Sequence, residues 1–523
     1  MSTDSAATAA ARIADGYAVD GQALELGTVV VDGAADPTAQ IRIPLATINR
    51  HGLVAGATGT GKTKTLQLIA EQLSAAGVPV LMADVKGDLS GLSRPGEGND
   101  KTAARANDTG DNWKPTGFPV EFLSLGTKGI GVPIRATIDS FGSVLLSKVL
   151  GLNATQESTL GLIFHWAKDQ NRRLVTTDDL RSAIGYLTSD AGKEDLKSLG
   201  GVSATTAGVI LRALVNLDAE GGDTFFGEPK LDPNDLLRAN GQGQGIISLL
   251  EFTGQSVRPV IFSTFLMWLL ADLYTQLDEV GDVDRPKLVF FFDEAHLLFA
   301  DASKAFLEQV EQTVKLIRSK GVGVFFCTQL PTDIPNDILS QLGARIQHAL
   351  RAFTPDDQKA LSRTVRTYPK TDVYDLESAL TSLGIGEAVV TVLSEKGAPT
   401  PVAWTRMRVP RSLMASIGPG DIEAAAKDSP LQTKYGQTAP QPAQPQAAPQ
   451  PPQAVPQPPQ AQSGYPPVPQ NEPVPPMPEP AEPKGSKGPS MWEEVLQNPT
   501  VKSGINTAIR EAVKSIFGTG RRR

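Results

Sequence analysis

Short apolar runs alternate with longer segments of helical periodicity between residues 47 and 410. Six of the runs are candidate strands, at residues 52–55, 78–84, 120–123, 245–250, 287–292 and 321–327. This alternation is typical of a mostly parallel sheet with helices on both faces. We therefore predict an α/β fold whose core is formed by residues 47–137 and 238–410.

The stretch between these two parts of the core has a different pattern. Apolar residues recur at helical spacing in residues 141–150, 156–170, 177–187 and 205–217, which predicts an inserted helical subdomain over residues 138–237. Residues 260–274 form the longest apolar stretch, but Ser263, Thr264 and Asp272 interrupt it. Because this stretch is shorter than the roughly 20 residues that cross a bilayer, we predict a buried helix.

The two ends of the chain have compositions unlike that of the core. Residues 1–20 are small and polar and predict a flexible N-terminus, whereas residues 21–46 predict a small β-rich region with strands at 23–31 and 39–43. Pro, Gln and Ala dominate residues 438–489, which predicts a disordered linker or docking segment. Residues 490–523 predict an amphipathic segment that Pro499 interrupts and three arginines close.

Composition narrows the class of protein. Of the 523 residues 40% are hydrophobic, enough for a large core, and the length predicts two or three structural units. Cys327 is the only cysteine, and the start of the chain has no secretory-signal pattern, so we expect a cytoplasmic protein. The formal net charge of -8 argues against a surface that is basic all over, so any contact with DNA would be local.

The strongest chemical signal follows the first core strand. Residues 56–63 match the pattern G-x-x-x-x-G-K-[ST], whose glycines let backbone N–H groups curl around phosphate oxygens at the start of a helix. Lys62 is predicted to reach the β and γ phosphates of ATP, and Thr63 to bind Mg²⁺. The residues predicted to bind the nucleotide are Gly56, Ala57, Thr58, Gly59, Thr60, Gly61, Lys62, Thr63 and Lys64.

An acidic pair ends the apolar strand candidate at 287–292. Asp293 and Glu294 stand where the ligands of open α/β sheets bind. Asp293 is predicted to hold the Mg²⁺ and Glu294 to act as the general base toward water. The alternative is that the two carboxylates only cap the next helix.

Five further residues are candidates for the same chemistry. Gln329, at the end of the strand candidate 321–327, could orient the attacking water, or it could be an amide facing solvent. Arg318 is the first choice for an arginine that a neighbouring subunit supplies in a ring, with Arg345 and Arg351 in reserve. Asp84 also follows a strand candidate, where a turn role is favoured over a role at the metal.

The order of these motifs resembles the HerA and FtsK superfamily of ring-forming motor ATPases. From about Asp15 to Arg408 the chain resembles the bacterial HerA-like helicase branch of that superfamily. The resemblance implies a RecA-like core with the sensor strand beside the acidic strand, a hexamer, and ATP-driven movement along double-stranded DNA.

Two other functions remain open. A motor of the secretion or conjugation type would act on protein cargo or at a membrane, and residues 490–523 could dock on a partner or rest peripherally on an anionic membrane surface. A nucleotide-dependent scaffold would recruit protein partners through residues 438–489. The complete set of catalytic residues favours turnover over the scaffold.

Overall fold

The computed structural model describes residues 3–84, 86–198, 203–251, 259–281, 283–300 and 302–436. Within them, the strands belong to one twelve-stranded sheet. They are β1 (Ala23–Val31), β2 (Ala34–Pro44), β3 (Gly52–Ala55), β4 (Val80–Asp84), β5 (Val120–Leu125), β6 (Val132–Ile134), β7 (Ile247–Glu251), β8 (Leu288–Phe292), β9 (Val322–Thr328), β10 (Ala344–Gln347), β11 (Glu387–Thr391) and β12 (Ala403–Met407).

The α-helices of the described residues cover the sheet or connect its strands. They are α1 (Thr3–Asp15), α2 (Lys62–Ala75), α3 (Asp100–Thr109), α4 (Ile138–Phe141), α5 (Ser143–Leu150), α6 (Ala154–Asp169), α7 (Thr177–Leu187), α8 (Lys193–Ser198), α9 (Ala204–Ala219), α10 (Gly222–Phe225), α11 (Pro259–Gln276), α12 (His296–Phe299), α13 (Lys304–Ile317), α14 (Asn336–Leu339), α15 (Pro355–Val365), α16 (Leu376–Ser382), α17 (Pro419–Lys427) and α18 (Pro430–Tyr435).

The sheet is mostly parallel, as the sequence predicts. Its strand order is β2-β1-β12-β11-β10-β3-β9-β8-β4-β7-β5-β6. The strands from β10 to β6 in this order run parallel, whereas β11, β12, β1 and β2 are antiparallel to their neighbours. The six core strands predicted from the sequence are β3, β4, β5, β7, β8 and β9, and their ends agree within two residues.

The middle of the sheet is buried on both faces, which explains why its strands are continuous apolar runs. In β8, Phe290 and Phe292 join a core with α11 on one face, while Val289 and Phe291 join a core with α2 on the other. Successive side chains of a strand point to opposite faces, so a run of five apolar residues serves both cores. The α/β fold with helices on both faces is thereby confirmed.

The N-terminal region contains the two predicted strands and one helix that the sequence did not predict. The strands predicted at 23–31 and 39–43 correspond to β1 and β2, which extend the main sheet because β1 pairs with β12 and β2 pairs with β1. Residues 3–15, expected to be flexible, form α1, which buries Ala10 and Ile13 against this part of the sheet. Just after α1, the buried Tyr17 hydroxyl donates to the Val390 carbonyl oxygen at 2.8 Å. The sequence did not predict this helix because its apolar face consists mainly of small alanine side chains.

Helices α4 to α10 occupy residues 138–225, where the sequence predicts helices. Their buried residues share one core with α11 and with one face of the sheet, and the division into 47–137, 238–410 and an inserted subdomain stays a prediction. The predicted buried helix at 260–274 corresponds to α11. Among the described residues, no helix combines the length and apolarity that a membrane span requires. The predicted linker at 438–489 and amphipathic segment at 490–523 lie outside the described residues.

The sequence-based assignment missed β6, β10, β11 and β12. β10 has the sequence Ala-Arg-Ile-Gln and lies parallel to β3, so the strand before the phosphate-binding pattern has β10 on one side and β9 on the other. β11 then lies antiparallel to β10, which places the start of β11 at the carboxyl edge of the parallel strands. Short strands with polar residues carry a weak periodic signal, and their pairing is long-range.

Candidate active site

Strand β9 places the two sequence motifs on either side of its carboxyl end. The Gly56 N–H, at the end of β3, donates to the Thr328 carbonyl oxygen (N···O 3.2 Å). On the opposite side, the Ala295 N–H donates to the Cys327 carbonyl oxygen (2.8 Å). The two motifs are therefore two strand spacings apart, about 10 Å, at one edge of one sheet.

Residues 56–61 form a loop that only small residues permit. Gly56 has φ +150°, and a Cβ atom there would lie 2.6 Å from the Cβ of His348. Gly61, at φ +116°, is the N-cap of α2. Thr58 and Gly59 form the exposed crest of the loop. The loop thus leads directly into a helix N-terminus, where free backbone N–H groups and the helix dipole favour an anion.

Lys62 lies over this loop. Its Nζ donates to the carbonyl oxygens of Gly56 at 2.7 Å and Ala57 at 3.2 Å. These are weak, exchangeable partners for an ammonium group, so the side chain can transfer to phosphate oxygens with little loss. The crest of the loop is open, since a Cβ atom on Gly59 would have no other atom within 4 Å.

The donor set at this edge fits Mg²⁺. Thr63 supplies a hydroxyl from the first turn of α2, and Asp293 supplies a carboxylate after β8. Burial, and then the nearby Glu294 charge, raise the pKa of Asp293. A divalent cation would offset both effects, because it neutralises carboxylates that are close together and partly desolvated.

Glu294 has a strained backbone conformation, and only one of its two carboxylate oxygens forms a hydrogen bond. Its φ of +47° lies in the left-handed region that side chains other than glycine rarely adopt. One carboxylate oxygen accepts from Lys86 Nζ at 2.7 Å, and the other lies 3.4 Å from His296 Nδ1. The bond to Glu294 raises the pKa of Lys86. The structure therefore presents Glu294 at the edge of the site with one oxygen bound to Lys86 and the other buried without a hydrogen-bond partner.

Gln329 and Arg318 lie at opposite edges of the sheet. Gln329 is exposed directly after β9, between the two motifs. Arg318 is exposed in the turn between α13 and β9, at the amino end of β9. Since β9 has seven residues, Arg318 is about 23 Å along the strand from the carboxyl end. It cannot reach the Lys62 site of its own subunit.

The two reserve arginines differ in their surroundings. Arg345, in β10, donates to the Thr367 carbonyl oxygen at 3.1 Å and to that of Leu339 at 3.5 Å. These bonds hold the guanidinium within its own subunit. Arg351 is exposed after β10 at the carboxyl edge.

Asp84 has the turn role that the sequence favours. One carboxylate oxygen accepts from the Asp88 N–H at 2.9 Å and the other from the Leu89 N–H at 2.7 Å. Burial, followed by the charge of Glu251 on the neighbouring strand β7, raises the pKa of Asp84 to about 7. The turn that Asp84 holds carries Lys86 toward Glu294.

Lys86 and His348 are residues of this edge that sequence reasoning missed. Lys86 stands in the same short stretch as Asp84, and its place after a strand next to β8 was the available signal. His348 follows β10; its Nε2 lies 2.9 Å from Thr65 Oγ1 and its Nδ1 lies 2.8 Å from the Glu387 carbonyl oxygen. Burial lowers the pKa of His348 to about 4, so the ring is a neutral brace between α2 and β11. Finding it required the pairing of β10 and β11.

Comparison with known proteins gives one consistent family. The family described as helicase HerA-like C-terminal matches residues 30–523. The DNA import protein CedB of Sulfolobus acidocaldarius is 22% identical over 371 residues, which are 68% of this chain and 52% of that protein. The probable DNA double-strand break repair helicase HerA of Methanocaldococcus jannaschii is 24% identical over 379 residues, which are 66% of this chain and 69% of that protein. The chain thus spans about half the length of CedB.

A solved structure shares the fold. The bacterial conjugative coupling protein TrwBdeltaN70 matches with a TM-score of 0.50 at 16% identity, over 78% of this chain and 94% of that chain. At this level of identity the likeness concerns the arrangement of strands and helices.

The raised pKa of Asp84 predicts a pH dependence of stability. The unfolded chain loses this proton near pH 4, about the ordinary Asp value, whereas the folded protein keeps it to about pH 7. The folded state then binds more protons in that window, so the free energy of unfolding falls as the pH rises from about 4 to about 7. Asp84→Asn, which cannot ionise, should make this fall shallower in urea denaturation at several pH values.

The matched control is Asp278→Asn, a change at an exposed aspartate. It should leave the pH dependence of the free energy of unfolding as in the unmodified protein. An Asp84→Asn protein with an undiminished slope would contradict the assignment.

Proposed function

The chain belongs to the helicase HerA-like C-terminal family, and from this we propose that it is a ring-forming ATPase that couples ATP hydrolysis to movement along double-stranded DNA. The observation that carries the proposal is the meeting of a glycine-rich phosphate loop and an acidic pair on either side of the end of β9. Such a pair of motifs on one sheet edge is the arrangement that phosphoryl transfer to water requires.

Each residue of the edge has a separate task in this proposal. The N–H groups of residues 56–62 and the N-terminus of α2 bind the phosphates, and Lys62 moves from the loop carbonyl oxygens onto the β and γ phosphates. Thr63 and Asp293 would hold Mg²⁺. The bound ion would neutralise the negative charge that develops on the phosphates. Gln329 orients the attacking water from the end of β9.

Glu294 takes the proton of the attacking water in this proposal. To do so its carboxylate must exchange the 2.7 Å bond to Lys86 for the water. Lys86 sits on a turn that includes Gly87 at φ +71°, and the Lys86 side chain is half exposed. A displacement of this turn frees the base, so the state of the Lys86 turn determines whether the site is competent.

The names of two relatives support DNA as the proposed cargo. Both curated relatives, CedB and HerA, are named for work on DNA, one for import and one for double-strand break repair. The net charge of -8 means that only a limited set of basic groups can face the DNA phosphates. We place that contact on the inner surface of an oligomeric ring, which we propose to be a hexamer.

The proposal predicts that duplex DNA raises the rate of ATP hydrolysis and that Glu294→Gln abolishes it. The amide keeps the size of the side chain but cannot accept the proton of water, so the rate should fall at least a hundredfold while ATP binding persists. A coupled assay for ADP release, with and without duplex DNA, measures the hydrolysis rate of both proteins. Equilibrium binding of ATP shows whether the Glu294→Gln protein still binds the nucleotide. Hydrolysis that is indifferent to all DNA, or that survives in Glu294→Gln, would refute the corresponding assignment.

The assignment of Arg318 to the active site of a neighbouring subunit predicts that two inactive variants complement each other. Lys62→Ala should lose ATP binding but keep Arg318, whereas Arg318→Ala should keep its phosphate loop but lack the cation for its neighbour. Each alone should fall at least a hundredfold in hydrolysis rate, and a mixture should recover part of it. Light scattering with ATP tests for the assembly itself, and Lys315→Ala, at an exposed lysine near the end of α13, serves as the control that keeps full activity. A mixture with no recovered hydrolysis would remove Arg318 from the role.

A further inference from the structure

Two buried polar atoms face each other beside the candidate general base. Glu294 Oε2 and His296 Nδ1 lie 3.4 Å apart, and each is buried without a hydrogen-bond partner among the described residues. Hydrolysis as proposed above uses one carboxylate oxygen of Glu294 and does not involve His296. Because buried polar groups in folded proteins are hydrogen-bonded almost without exception, two such atoms at this distance indicate a second state in which they bond each other.

Backbone hydrogen bonds fix His296 next to Glu294. His296 is the first residue of α12, and the Ala295 N–H just before it donates to the Cys327 carbonyl oxygen at 2.8 Å. The Glu294 carbonyl oxygen in turn accepts from the Leu297 N–H at 2.9 Å. The two side chains therefore start from a common piece of backbone tied to the end of β9, and a rotation of the side chains is enough to change their separation.

The imidazole ring of His296 presents its buried edge to the carboxylate. The side chain is 37% exposed, whereas Nδ1 is buried beside Glu294 Oε2. An ionised carboxylate only accepts hydrogen bonds, so Nδ1 must carry a proton in order to bond it. The neutral ring with its proton on Nδ1 and the positively charged ring both meet this requirement.

Lys86 and His296 approach different oxygens of the same carboxylate. Lys86 Nζ donates to Oε1 at 2.7 Å, and the Glu294 side chain is only 12% exposed. When Lys86 releases Oε1 to the attacking water, a mostly buried carboxylate needs another donor. His296 Nδ1 already lies beside the second oxygen. Hydrogen bonds at active sites are often long in the free protein and shorten in the reactive complex.

We propose that His296 is the positioning residue of the general base: its Nδ1–H donates to Glu294 Oε2 while Oε1 faces the attacking water. The proposal rests on the proposed function, because it requires Glu294 to take the proton of that water. The bond to His296 takes over the orientation of the carboxylate once Lys86 has moved. Orientation of a reacting group acts on the chemical step and not on the binding of ATP.

The test compares side chains that differ in their hydrogen-bond donor. Asn places its amide nitrogen where histidine has Nδ1, whereas Phe keeps a ring but has no donor. His296→Phe should lower kcat about tenfold or more, as loss of a hydrogen bond to a charged group does, and leave KM for ATP within about twofold. His296→Asn should keep kcat within about threefold of the unmodified protein. Steady-state ATP hydrolysis by the full chain, with duplex DNA present, measures both constants.

His165→Phe is the matched control, since His165 is an exposed histidine on α6 that also lies near a carboxylate, with its Nε2 3.3 Å from Asp169. It should leave kcat and KM unchanged. A His296→Phe protein with normal kcat, or a His296→Asn protein as slow as His296→Phe, would overturn the positioning role. A raised KM with unchanged kcat would also overturn it, because the side chain would then act on binding.

The unmodified protein and the Glu294→Gln protein separate this proposal from the proposed function. If the unmodified protein does not hydrolyse ATP, or if Glu294→Gln hydrolyses it normally, the assignment of Glu294 fails and the role of His296 fails with it. If Glu294→Gln is inactive but His296→Phe hydrolyses ATP at the normal rate, only the role of His296 is overturned. A slow His296→Phe protein together with a nearly normal His296→Asn protein supports the proposal.

Discussion

The carboxyl end of β9 is the constraint on which the site depends. Its last two residues accept backbone hydrogen bonds from the two motifs, Thr328 from Gly56 and Cys327 from Ala295. These bonds are part of a sheet that is buried on both faces, so the distance between the motifs is set by strand spacing and not by flexible side chains. Side chains positioned from such a scaffold need little further ordering when a ligand arrives.

Local signals predicted most of what lies along this edge. The phosphate loop depends on glycines and a lysine that are adjacent in sequence, and the acidic pair directly follows its own apolar strand. Both are properties of one segment, so the fold class and the candidate residues could be predicted from the chain alone. The turn role of Asp84 was predicted for the same reason, since its partners Asp88 and Leu89 are close in sequence.

The features that the sequence did not predict depend on contacts between segments that are distant along the chain. Lys86 meets Glu294 across 208 residues, and Thr65 meets His348 across 283. The short strands β10 and β12 are defined by pairing and not by a continuous apolar run. The N-terminal helix was concealed because alanine and polar residues serve a helix face as readily as a mobile tail. Long-range pairing is the information that a single sequence does not contain.

The antiparallel half of the sheet gives the phosphate-loop helix a support that the motifs do not predict. After β12, the chain crosses α2, where the Glu71 carboxylate accepts from the N–H groups of Arg411 (2.8 Å) and Ser412 (2.9 Å). Gln67, one turn earlier, donates to the Leu413 carbonyl oxygen at 3.0 Å. Burial raises the pKa of Glu71, so an unfavourable buried carboxyl is retained where it secures this crossing.

The crossing segment then reaches the first turn of α2, next to the phosphate loop. Two residues beyond Ser412, the Met414 carbonyl oxygen binds Lys64. α2 and the segment after β12 are therefore one hydrogen-bonded unit. The same hydrogen bonds would transmit any movement of α2 to the segment after β12, because they join the two along three turns of the helix.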